Sequence, residues 1–147
     1  YVLRHEATLR AKLLPHALTV FAEHRAKGDR VVVATGAPPE LARAILAFVA
    51  HQDVPVIGSQ VGPRFGAVGA TRHCHNEEKM RMLRERGYGD IAVAYSDSTA
   101  DLPLLQAARA PVVVNPKHGA VALFRRVLPA GTRILNWGCE DRGGEKA

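Results

Sequence analysis

The residues best suited to chemistry in this chain sit where apolar runs stop. "IAVAYS" (91–96) is followed at once by Asp97 and, four positions on, by Asp101. An acid at the end of a buried strand is costly to ionise without a partner. A hard divalent cation such as Mg²⁺, bound by oxygen ligands and shared with a phosphate, accounts for both carboxylates. Asp101 also has a plainer account, in which Ser98 caps the following helix and Asp101 closes a capping box three residues later. That account leaves Asp97 unexplained, so a metal role for the pair is the favoured reading.

A second strand end carries Thr35 and Gly36, after "VVVA" and before "APPE". Gly36 lets backbone N–H groups come close to an anion, and Thr35 adds a hydroxyl donor. The positive end of the helix starting near Pro38 faces the same spot. Capping that helix is an equally ordinary job for a Thr-Gly turn. Lys79 lies one turn into "NEEKMRMLRERG" (76–87), where a lysine is either solvated or, beside an anion site, neutralises a bound phosphoryl group. His73 and His75 in "HCH" would share one face of an extended segment, but no second ligand pair at zinc spacing exists.

The elements that must position these residues alternate simply. Helices are expected over 17–28, 38–52, 76–87 (with Asn76 as a cap), 101–110 and 117–128. Short β-branched runs without alternation, at 30–35, 91–96, 111–116 and 132–137, predict strands covered on both faces. Segments 54–61 and 65–72 flank "GPR" and suggest a hairpin or an extended excursion. The alternation predicts an α/β domain with a mostly parallel sheet and flanking helices, in which ligands bind beyond the carboxyl ends of the strands. Residues 1–16 are expected to end a cap or linker helix, 17–140 to form the core, and 141–147 to be a loose polar tail.

Composition narrows the partners. The 147 residues suffice for one domain with a sizeable core. The apolar stretch "AILAFVA" (44–50) is far short of the roughly 20 residues a membrane span requires, and no secretory signal is visible. Cys74 and Cys139 form no C-x-x-C pattern, which fits free thiols in a reducing cytoplasm. The 20 basic residues against 14 acidic ones are dispersed, as on a solvated surface that also attracts anionic substrates or a phospholipid surface. Nucleic acid is not expected, because aromatics make up only 5% and none interleaves with a basic cluster.

Three segments in order resemble the motifs of the haloacid dehalogenase superfamily. "VVVATGAPPEL" is similar to its second motif, "CHNEEKMRML" to its third, and "VAYSDSTADLPLL" to its fourth, with Ser96 where that motif usually has glycine. The spacing of Cys74, Glu78 and Lys79 with "YSDSTADLPLL" resembles the branch containing phosphatidylglycerophosphatase C and phosphoserine phosphatase. The resemblance covers most of residues 15–116 and implies a Rossmann-like core and a Mg²⁺-dependent phosphomonoesterase acting on a small phosphomonoester or anionic phospholipid, in the cytoplasm or peripheral to the inner membrane. It implies that Thr35 and the Gly36 amide bind phosphoryl oxygens and that Lys79 holds nucleophile and phosphate together. Asp97 would then ligate Mg²⁺, while Asp101 orients its water shell or Lys79. The implied chemistry is attack by an aspartate on phosphorus, then hydrolysis of the aspartyl-phosphate.

The first motif of that superfamily, Asp-x-Asp-x-Thr, is missing. The aspartates are Asp29, Asp53, Asp90, Asp97, Asp101 and Asp141, and no two stand two positions apart. The resemblance places that motif on a central first strand, between those carrying Thr35 and Asp97. The expectation is therefore a core incomplete at its N-terminus, poorly stable and inactive alone. The competing expectation is a non-catalytic module that binds phosphate or a partner.

Overall fold

Residues 15–64 and 67–137 are described in a computed structural model, and the expectations for 1–14 and 138–147 lie outside them. In chain order the elements are α1 (Pro15–Ala26), β1 (Val33–Thr35), α2 (Pro39–Phe48), β2 (Val56–Gly58), β3 (Gln60–Arg64), β4 (Ala67–Arg72) and α3 (Asn76–Glu85). They continue with β5 (Val93–Ser96), α4 (Leu102–Ala107), β6 (Ala110–Val114), α5 (Val121–Val127) and β7 (Arg133–Leu135). The α/β class and the parallel pairing follow the expectation. β1 pairs with β2 in parallel, and β5–β6–β7 form a second parallel sheet.

Successive strand residues point to opposite faces, and the clusters follow that period. Val33 and Val56 face Leu46 and Phe21, under α1 and α2. Ala34 and Ile57 face Met80 and Leu83 of α3. In the other sheet, Ala94 and Val113 pack with Leu105 of α4 and Phe124 of α5. Ile91 and Leu104 touch both of the last two clusters, so α3 and α4 share one continuous interior. On the opposite side α1 spans both sheets: Phe21 reaches the β1–β2 cluster, while the His24 ring hydrogen-bonds the Tyr95 hydroxyl of β5 at 2.8 Å.

Two local expectations are corrected. The expected hairpin is present but starts only at Gln60, because segment 54–61 is divided at Ser59. Val56–Gly58 joins the parallel sheet, and Gln60–Arg64 turns away to pair antiparallel with Ala67–Arg72. The apolar run "VPVI" is drawn inside because both faces of β2 find a helix. Secondly, Asn76 does not cap α3. His75 occupies the cap position with extended backbone and no side-chain bond, and Asn76 is the first helical residue at φ 46°. Asparagine tolerates that left-handed conformation better than most residues, which explains its presence without a capping bond.

Among the described residues β1 and β5 do not pair with each other, so the parallel sheet comes in two pieces. Val93 of β5 is, with Leu41, a large hydrophobic residue left exposed among the described residues.

Candidate active site

The C-terminal ends of β1, β2 and β5 converge with the start of α3. The first of these continues into a tight loop. The Thr35 hydroxyl accepts a hydrogen bond from the Ala37 N–H at 3.1 Å, a short side-chain-closed turn. The Gly36 carbonyl accepts from the Ser59 hydroxyl at 2.6 Å, and the Ser59 N–H donates to the Ala37 carbonyl at 3.0 Å. Gly58 makes this approach possible, since a Cβ there would lie 2.7 Å from the Ala37 carbonyl oxygen. Gly36 is similarly hemmed in: a Cβ would stand 3.2 Å from Nε2 of His75.

α3 carries Lys79 into the interior, where it is only 5% exposed. A buried ammonium needs a counter-charge and hydrogen-bond acceptors. Lys79 Nζ donates to Oδ1 of Asp101 at 2.5 Å, and the Ser96 hydroxyl donates to Oδ2 of the same carboxylate at 2.6 Å. The Ser98 N–H in turn donates to the Ser96 hydroxyl at 3.2 Å. This decides the capping question. Ser98 does cap the turn at Thr99–Asp101, its side chain accepting from the Ala100 N–H at 3.1 Å. Asp101 closes no box, because both its oxygens are turned toward Lys79 and Ser96.

Asp97, next to this cluster in the chain, is exposed. No hydrogen bond or ion pair engages its carboxylate among the described residues. No group of three or more His, Cys, Asp or Glu side chains able to hold a metal occurs among them either. The donor chemistry of Asp97 fits a hard cation, but one carboxylate is a fraction of an octahedral shell. Each Asp101 oxygen already accepts one hydrogen bond, from Lys79 and from Ser96.

Thr35 and Gly36 are thus linked to the lysine helix through Ser59, whose hydroxyl also accepts from the Cys74 N–H at 2.9 Å. Cys74 is fully buried, and that burial pushes its thiol above the ordinary range, opposed in part by the Lys79 charge. Burial thus disfavours the thiolate, the reactive form. Elsewhere on α3, Arg72 binds Glu85 through two nitrogens, at 2.7 and 3.0 Å, and Glu78 through Nε. These bonds tie the end of the β3–β4 hairpin to the helix that presents Lys79. They hold the Glu85 carboxyl below its usual range, the Arg72 hydrogen bond being the main cause.

Sequence reasoning identified Thr35, Gly36, Lys79, Asp97 and Asp101. It treated Ser96 only as a departure from a motif and passed over Ser59. The available signal for Ser59 was a hydroxyl directly after the apolar "VPVI" and a glycine, where a buried polar group must have a partner.

Comparison with known proteins bears on the family and the fold. The family model for haloacid dehalogenase-like hydrolases matches residues 2–106. A solved structure described as a protein with unknown function from Bordetella pertussis Tohama I aligns with a TM-score of 0.64 at 23% identity. The alignment covers 89% of this chain and 61% of that one, so this chain spans about three fifths of its length. At that identity the likeness speaks for the fold. No curated protein matches the chain.

Proposed function

Because this chain belongs to the haloacid dehalogenase-like hydrolase family, we propose that it carries the phosphoryl-binding and charge-neutralising part of a magnesium-dependent phosphomonoesterase site. The observation that carries the reading is the buried Lys79, bonded to the partly buried Asp101 and Ser96 pair, beside the Thr35–Gly36 loop. An ammonium is kept inside at the strand ends, where this class of sheet binds ligands.

Each residue then has a task that its present bonds allow. The Thr35 oxygen already accepts from Ala37, which leaves its hydrogen for a phosphoryl oxygen. Gly36 adds its amide and no side chain. Lys79 uses one N–H on Asp101 and has two more, for a phosphoryl oxygen and for the attacking carboxylate. Asp101 and Ser96 fix the direction of that ammonium. Asp97 holds Mg²⁺, and the ion, when bound, supplies charge neutralisation at the phosphoryl oxygens.

The nucleophile is an aspartate of an Asp-x-Asp-x-Thr strand, which this sequence does not contain. β1 and β5 are not paired with each other among the described residues, and such a strand would pair between them. Its carboxylate attacks phosphorus, the ester oxygen leaves with a proton from the second aspartate, and water then releases phosphate and restores the carboxylate. The substrate class is a small phosphomonoester or the phosphate of an anionic phospholipid headgroup. The net charge of +6 supports attraction to either, and to a membrane surface. The Cys74, Glu78, Lys79 spacing favours the phosphatidylglycerophosphatase-like branch. No helix among the described residues is long and apolar enough to cross a membrane.

The missing Asp-x-Asp pair also favours a second reading, a non-catalytic module that binds phosphate or a partner. Aryl-phosphate hydrolysis with Mg²⁺ separates the two. The chain alone should turn nothing over. Adding a peptide with the Asp-x-Asp-x-Thr strand should restore turnover, and Lys79→Met should abolish it again. Phosphate binding without turnover under every one of these conditions would establish the module instead.

A further inference from the structure

We infer that Ser59 is a positioning residue that aims the Thr35 hydroxyl at the phosphoryl group; this rests on the functional reading above. Ser59 and Lys79 are the buried polar or charged side chains of the described core, at 3% and 5% exposure. A buried hydroxyl is retained against its desolvation cost only where its bonds are all made. Ser59 makes three bonds, two to the Gly36–Ala37 loop and one to the segment leading into α3. Its N–H donates to the Ala37 carbonyl, its hydroxyl donates to the Gly36 carbonyl, and the same oxygen accepts from the Cys74 N–H.

The chain of consequence is geometric. A trans peptide is planar, with its C=O and N–H pointing in opposite directions. Holding the Gly36 carbonyl on Ser59 therefore turns the N–H of the same peptide, that of Ala37, the other way. There it meets the Thr35 oxygen at 3.1 Å. With one lone pair of that oxygen taken, the Thr35 hydrogen is left to donate outward to an anion. The bond from Cys74, just ahead of α3, sets the same loop at a fixed distance from the helix bearing Lys79. One oxygen that both donates and accepts does this at serine size; alanine can do neither, and threonine retains both.

The test is binding of inorganic phosphate to the purified protein with Mg²⁺, by titration calorimetry, alongside thermal unfolding of each variant. Ser59→Ala should weaken binding about five- to ten-fold, the worth of one or two hydrogen bonds, and Ser59→Thr should return it to within about three-fold of the parent. Because Ser59 acts through Thr35, Ser59→Ala should cost nothing further in a Thr35→Ala background. A purely structural serine would lower the unfolding temperature and leave phosphate affinity unchanged, or give losses that add to those of Thr35→Ala. Either result overturns the inference and leaves the functional reading standing. Absence of phosphate binding in the parent protein removes both. If Ser59→Ala does not fold, Ser59→Cys carries the same cycle, its thiol being a poor donor and acceptor of similar shape.

Discussion

Truncating Asp101 to alanine isolates the electrostatics on which the site depends. The substitution leaves the Lys79 ammonium, whose side chain is 6% exposed, without the carboxylate 2.5 Å away, and leaves the Ser96 hydroxyl without its acceptor. Removing one partner of a buried ion pair costs about 3–5 kcal/mol, mostly the penalty of the charge left behind. At about 2 kcal/mol per molar of urea the midpoint should fall by roughly 1.5–2.5 M. That is a large share of the 5–15 kcal/mol typical of a whole domain. The double variant Lys79→Met with Asp101→Leu removes both charges and should be far less damaging than Asp101→Ala, within about 2 kcal/mol of the parent. Urea unfolding at pH 7, followed by circular dichroism, measures all three proteins. If Asp101→Ala shifts the transition by less than the equivalent of about 1 kcal/mol, Lys79 is finding water or another partner, and the buried-pair argument fails.

Three further outcomes follow from other contacts. Gly58→Ala would set a Cβ 2.7 Å from the Ala37 carbonyl oxygen and 2.9 Å from the Pro39 nitrogen. Both are backbone atoms, so a cost of about 1–3 kcal/mol is expected, read as an unfolding temperature lower by roughly 3–10 °C. Asp97→Asn touches an exposed carboxylate that no hydrogen bond or ion pair engages among the described residues. It should change stability by no more than about 0.5 kcal/mol while abolishing magnesium-dependent turnover in the peptide-restored enzyme; full turnover would remove the metal assignment. Burial raises the Cys74 pKa in the folded chain. The thiol's contribution to stability is therefore complete below the unfolded value of about 8.5 and is lost as pH rises through the folded one. In a Cys139→Ser background, unfolding free energy should fall between pH 7 and pH 10, and thiol labelling at pH 7 should be much slower than in urea.

Much of the arrangement is legible in the sequence because strand ends announce themselves. A buried parallel strand must be apolar throughout, so the first polar residues after "VVVA" and "IAVAY" mark the carboxyl ends, and Thr35, Gly36 and Asp97 stand there. Helix boundaries were less legible. The helix over 101–110 opens as a 3₁₀ turn at Thr99–Asp101 and ends at Ala107, since one side-chain cap can serve either geometry. Nor could the run 54–61 reveal that it divides at Ser59. Apolar residues suit a hairpin arm as well as a strand of the parallel sheet, and only the helices lying over both faces of β2 select the latter.

What the residue order determined on its own was the kind of fold, the placing of the hydroxyl and carboxylate groups at strand ends and of the lysine on a helix, and the lack of an Asp-x-Asp pair. These are properties of composition and spacing, readable one segment at a time. Which carboxylate serves the lysine was decided only by tertiary structure. Asp101 is equally placed in sequence to close a helix cap or to answer a charge. The burial of Lys79, 22 residues away along the chain, settles it, because an unpaired ammonium in the interior costs more than an unclosed cap. The role of Ser59 has the same origin: its partners Gly36 and Cys74 lie 23 and 15 positions away and become neighbours only when β1, β2 and α3 come together.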